Sequence, residues 1–160
     1  MRSPFRIIGR SGGTSLERAV GTAVTDIRTG RFERSLAALS AAGALVTAAE
    51  IFTEHDRASF GNKVMWWPVV LVPLVAPAGV AAVVSQRAAR TVLPVASALV
   101  VANGLQGTYL HFRGVKQKPG GLRNLSYNLE MGPPLFAPLL ASLVGGMGVV
   151  ASLLRREGGH

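Results

Sequence analysis

Four apolar runs, each close to twenty residues long, divide this chain, and the breaks between them carry arginine and lysine. The runs lie at about 35–53, 64–86, 91–110 and 131–154. A bilayer's hydrocarbon core is about 30 Å thick, and a helix crosses it in roughly 20 residues. Backbone N–H and C=O groups in lipid must be paired within the spanning structure, so only helices or closed barrels cross. A barrel strand alternates apolar and polar residues over about ten positions, and none of these runs alternates. The expected fold is therefore all-α, a four-helix transmembrane bundle. Three of the runs contain no charged residue, and the first contains only Glu50. An acidic residue costs about 2.5–3.5 kcal/mol at the bilayer centre and less near an end. Glu50 lies near an end, and Leu36, Leu39, Leu45, Val46, Ile51 and Phe52 offset it.

The 160 residues carry a net charge of +9, which could suit nucleic acid. Because 49% of residues are hydrophobic and fall in blocks, the charge reads instead as loop residues facing lipid headgroups, with no nucleic-acid partner. Seven arginines precede the first run, Arg87 and Arg90 separate the second from the third, and Arg155 and Arg156 end the fourth. That places eleven cations on one side, against six on the other: Arg57, Lys63, Arg113, Lys116, Lys118 and Arg123. The positive-inside rule then puts both termini in the cytoplasm of an inner-membrane protein. The opening MRSPFRIIGRSGG has no apolar run long enough for a signal peptide, so the first span is expected to be an uncleaved anchor. The absence of cysteine excludes disulfides and thiolate metal sites.

One membrane domain, 34–156, thus follows a basic segment, 1–33, and precedes a short tail, 157–160. Within the basic segment, Leu16, Ala19, Val20, Ala23, Val24 and Ile27 recur at helical spacing. They predict an amphipathic helix at 15–28 lying in the cytoplasmic interface, capped by Ser15.

Helices in lipid associate through small and polar residues. Ser40, Gly43, Thr47, Glu50 and Glu54 form one stripe on the first span, and Asn103, Gln106, Gly107 and His111 form one on the third. Ala141, Gly145, Gly148 and Ser152 form one on the fourth. Spans one, three and four are therefore expected to share the interior. Span two, with Pro68, Pro73 and Pro77 and almost no polar side chain, is expected to be kinked and to face lipid. Pro133 and Pro134 are expected to begin span four.

Up-and-down topology gathers Glu50, Glu54, His55, Tyr109, His111 and Glu130 at one membrane surface, a candidate functional cluster. Glu50, the deepest, is expected to hydrogen-bond Asn103, Gln106, Tyr109 or His111. No nucleotide loop, hydrolase elbow or metalloprotease motif is present, and no catalytic residue is assigned. No cofactor is predicted outright. The residues admit a haem between His55 and His111, which would lie at helix ends, or a divalent metal on the Glu/His cluster. The expected function is a non-enzymatic accessory or scaffold subunit that docks a protein partner or a second copy in the bilayer. The alternative is a membrane redox or proton-handling module, and a small transporter ranks third.

The charge asymmetry sets a direct test. A reporter fused after His160 should read cytoplasmic and one inserted within 116–123 external; the reverse pattern would overturn the orientation.

Overall fold

The computed structural model describes residues 14–154, all of whose regular structure is helical. The basic stretch 1–13, the Arg155–Arg156 stop and the tail 157–160 lie outside the described residues. Helix α1 (Ser15–Arg28) leads through Gly30, at φ 70°, into α2 (Arg31–Arg57). The second span is α3 (Trp66–Leu71) and α4 (Val75–Val84), joined by a 3-10 turn at Val72–Leu74. The third comprises a short α5 (Gln86–Arg90) and the long α6 (Val92–Gln117). A connection containing α7 (Leu125–Glu130) leads to α8 (Phe136–Leu153). Four segments, Arg31–Arg57, Lys63–Val84, Gln86–Gln117 and Phe136–Leu153, are long and apolar enough to cross a membrane.

Local chemistry accounts for the boundaries. The cap of α1 is Thr14 rather than Ser15. The Glu17 N–H donates to Thr14 Oγ1 at 3.2 Å and the Thr14 N–H donates to Glu17 Oε2 at 2.6 Å, a reciprocal capping box. The apolar stripe of α1 is uncovered, with Leu16 73% and Val20 54% exposed. Pro73 has no N–H and its ring crowds the preceding turn, so the second span tightens into a 3-10 turn there. Pro94 and Pro138 instead fall in the first turns of α6 and α8, where N–H groups have no intrahelical acceptor. Helix α8 begins at Phe136, so Pro133 and Pro134 lie in its lead-in and not in its first turn. Helix α6 runs seven residues beyond the expected end at 110, which carries His111 into the body of a helix.

The spans alternate in direction. One end of the bundle carries the starts of α2 and α6 and the ends of α4 and α8. The other, the loop end, carries segments 58–62 and 118–135. Helix α8 packs along both α2 and α6. Ser40 Oγ donates to the Val144 carbonyl at 2.8 Å, and Ser142 Oγ donates to the Val101 carbonyl at 3.4 Å. The backbones come very close: a Cβ at Gly145 would stand 2.8 Å from the Ser97 carbonyl oxygen, and one at Gly148 would collide with Ser97 Oγ. Gly104 faces the Pro138 carbonyl oxygen in the same way, at 2.6 Å.

Contrary to expectation, span two does not face outward more than the other spans. Val75, Ala76, Ala78, Gly79 and Ala82 are buried, and a Cβ at Gly79 would stand 2.6 Å from the Ala37 carbonyl oxygen. The buried share of its apolar window, 33%, equals that of spans one and four. Its small residues make a seam against α2 that needs no polar side chain.

These contacts separate packed from free positions. Gly148→Leu should destabilise the bundle by about 1–3 kcal/mol, since a side chain here meets Ser97 of α6 and Ser40 of α2. Val70→Leu, on an exposed face of α3, should change stability by less than about 0.5 kcal/mol. Thermal unfolding in detergent compares them, and equal melting would show that the packed face is wrongly assigned.

Candidate functional site

The last turn of α2 ends in a hydrogen-bonded cap that sets His55 in place. The Phe60 N–H donates to the His55 carbonyl at 3.0 Å and the Ser59 N–H donates to the Asp56 carbonyl at 2.7 Å. This is the Schellman pairing, and it needs a left-handed residue after the helix. Ser59 takes that role at φ 54°, where glycine is usual, and Phe60 follows at φ 45°. The turn throws the Phe60 ring back over the helix. It meets His55 edge-on at 6.2 Å, approaches Phe52 at 5.8 Å and stacks on Trp66 at 4.2 Å. Burial among aromatic neighbours thus compensates a strained turn.

Beneath this cap, α2, α3, α6 and the lead-in to α8 enclose a cavity of about 700 Å³. Ligand cavities run from about 300 to 1,000 Å³. Its apolar lining includes Ile51, Met65, Leu110, Pro138 and Ala141, and its polar groups include Glu54, His55, Asn103, Gln106, His111 and Gln117. Arg57, Arg113 and Lys118 also line it. Glu54 accepts a hydrogen bond from Arg57 Nη1, so that cation is paired. Arg113 and Lys118 form no ion pair among the described residues.

The two imidazoles differ. His111 Nδ1 lies 2.8 Å from the Pro134 carbonyl oxygen. A carbonyl only accepts, so the proton sits on Nδ1 and Nε2 keeps its lone pair. His55 Nδ1 is buried without a hydrogen-bond partner, although the Met65 backbone is close enough to act on the ring. The rings lie within electrostatic reach of each other.

The structure thus brings Glu54, His55 and His111 to one cavity and leaves Glu50, Tyr109 and Glu130 off its wall. The expected bond from Glu50 to span three is not made. Glu50 is exposed, one turn of α2 away from the cavity-facing Glu54, and lies in a shallow groove with Phe136, Leu139, Leu140 and Leu143 of α8. Tyr109 and Glu130 are also exposed. Among the seam residues, Ser40, Thr47, Gly145 and Gly148 are buried, Gly43 faces Val144, and Gly107 faces Pro138. Asn103 and Gln106 line the cavity instead of bridging helices.

Several residues escaped the sequence reading. Asn128, buried in α7, donates through Nδ2 to the carbonyls of Pro119 (3.1 Å) and Gly121 (2.9 Å), pinning the long connection. A polar residue beside the Pro-Gly-Gly turn was the available signal. Glu33 is buried in the first turn of α2, where the positive end of the helix dipole favours a carboxylate. Among the described residues, no group of three or more His, Cys, Asp or Glu side chains is arranged to hold a metal ion.

No protein-family model, no curated protein and no solved structure matches this chain. Its function has to be argued from its own residues.

Ser59→Gly should stabilise the protein by about 1 kcal/mol, because the left-handed conformation costs an L-residue about that much and glycine nothing. Asn128→Ala should open the 118–130 connection to protease by stranding two carbonyls, at about 1–3 kcal/mol. Melting temperature and limited proteolysis read the two effects; a less stable Ser59→Gly variant would contradict the cap described above.

Proposed function

We propose that this chain is a small four-span integral protein of the cell membrane, with both termini cytoplasmic and α1 lying in the cytoplasmic interface. Its role is that of a non-enzymatic accessory subunit. Support for the membrane setting comes from the surface: Leu39, Leu45, Val46, Val80, Leu99, Leu105 and Leu143 are all exposed and lie on all the spans. A soluble monomer does not present so much contiguous apolar surface. The basic residues flanking the spans and the open stripe of α1 suit anionic headgroups.

The accessory role rests on one observation, the exposed Glu50. Its position is about 10 Å short of the end of α2, at 1.5 Å per residue. That depth puts a carboxylate on the outside of the bundle within the apolar layer, in a groove of leucines, with no hydrogen bond or ion pair from a described residue. Such a group is expensive in lipid and marks a site that something else completes. A partner transmembrane helix bearing a cation or a hydroxyl at matching depth supplies the missing contact. The internal small-residue seams are already occupied by the chain's own helices, which leaves this groove as the docking face.

A second reading, a redox or proton-handling module, is favoured by the two histidines in one cavity.

The accessory reading is tested by purification in mild detergent from native membranes. Wild-type protein should migrate as a complex, and Glu50→Leu should release the partner while raising the isolated chain's melting temperature. A strictly monomeric wild-type particle would count against the proposal.

A further inference from the structure

We infer that the loop-end cavity binds one haem, with its iron held between His55 and His111. The inference deepens the second reading above and is independent of the docking face at Glu50.

Four observations converge on this ligand. The first is the ligand count. A bare metal ion needs three or four protein donors, and among the described residues no such group exists. A porphyrin brings four nitrogens of its own and asks the protein for two axial donors only. The cavity offers two imidazoles from different helices, α2 and α6.

The second is the state of His111. Its Nδ1–H is committed to the Pro134 carbonyl, which fixes the tautomer, orients the ring and makes Nε2 the more basic donor. Metal-bound histidines recur in this arrangement, the far nitrogen hydrogen-bonded to a carbonyl or carboxylate.

The third is His55. Its Nδ1 is buried and lacks a well-formed hydrogen bond. The ring is held by the α2 cap and by Phe60, and the Met65 backbone is its polar neighbour. A small rotation toward that backbone would satisfy Nδ1 as Pro134 satisfies His111, and leave the other nitrogen for iron.

The fourth is the distribution of charge. Ile51, Met65, Pro138 and Ala141 give the cavity apolar lining suited to a porphyrin face. Arg113 and Lys118 line it without carboxylate partners, whereas Arg57 is held by Glu54. Two free cations match the two propionates of a haem. His111 lies six residues short of the end of α6 and His55 two residues short of the end of α2, so the iron would sit at the loop end of the bundle.

The test uses the full-length chain, produced in haem-sufficient cells and purified in mild detergent, with added haemin as the probe. The expected result is one haem per chain by pyridine haemochrome, with a low-spin, six-coordinate spectrum. His55→Ala and His111→Gln should each give a five-coordinate, high-spin spectrum. Glutamine is chosen because its amide can still donate to Pro134 and keep the helix junction. Arg113→Gln with Lys118→Gln should weaken haemin binding about tenfold, one lost charge-assisted contact or so, with the low-spin spectrum intact. A folded wild-type protein that carries no haem and takes up none in a stoichiometric titration overturns the inference. So does retention of the low-spin spectrum in both histidine variants. If a variant does not fold, the wild-type titration decides alone. Neither negative result touches partner release at Glu50, so the two proposals fail separately.

Discussion

The bundle depends on one crossing, where α2, α6 and α8 meet at Gly148. Ser40 Oγ and Ser97 Oγ both stand where a side chain on that residue would be. In lipid, apolar side chains gain little by leaving the surface for the interior, so helix association rests on close backbone packing and interhelical hydrogen bonds. This crossing supplies both: absent side chains at Gly145 and Gly148, and a hydroxyl bond from Ser40 across to the Val144 carbonyl. The same point has an unspent resource, since Ser97 Oγ is buried with no hydrogen-bond partner. Tight contact here, far from the loop end, lets the helices be looser where the cavity lies.

Much of this was legible from residue spacing. Each of the four apolar runs overlaps one of the four long apolar helical segments, although the fourth begins five residues before α8, because lipid-crossing length and charge-free composition are strong constraints. The stripes holding Ser40, Gly145 and Gly148 were legible because small residues at three- and four-residue intervals mark one helix face. The seam on span two was missed for the converse reason: alanines beside a glycine are small without being polar, and in an apolar run they look like filler. The prolines there suggested a kinked, peripheral helix, yet a short 3-10 turn absorbs Pro73 and leaves α4 straight enough to pack on Ala37.

The cluster at the loop end was legible as a level but not as a set of directions. Topology alone brings Glu50, Glu54, His55, Tyr109 and His111 to one height. Which of them share a cavity depends on helix rotation, and the stripe of α2 winds gradually around the axis over its fifteen residues from Ser40 to Glu54. Ser40 reaches the Val144 carbonyl of α8, while Glu50 lies in the shallow groove beside Leu139, Leu140 and Leu143. The end of α6 was also placed too early, since Phe112, Val115 and the arms of Arg113 and Lys116 continue a helix that hydropathy alone would stop at Leu110. Nothing in the sequence announced the left-handed Ser59, because a serine there carries no signal that a glycine would have given.

The lead-in to α8 joins two places that are separate on the surface. Pro134 and Ala137 line both the cavity and the groove around Glu50, so a single turn of backbone is the wall between them. The Pro134 carbonyl is also the acceptor for His111. That one hydrogen bond ties the setting of the His111 ring to the backbone of the wall itself. Two side chains that carry no polar atom, a proline and an alanine, thus form the shared face of cavity and groove.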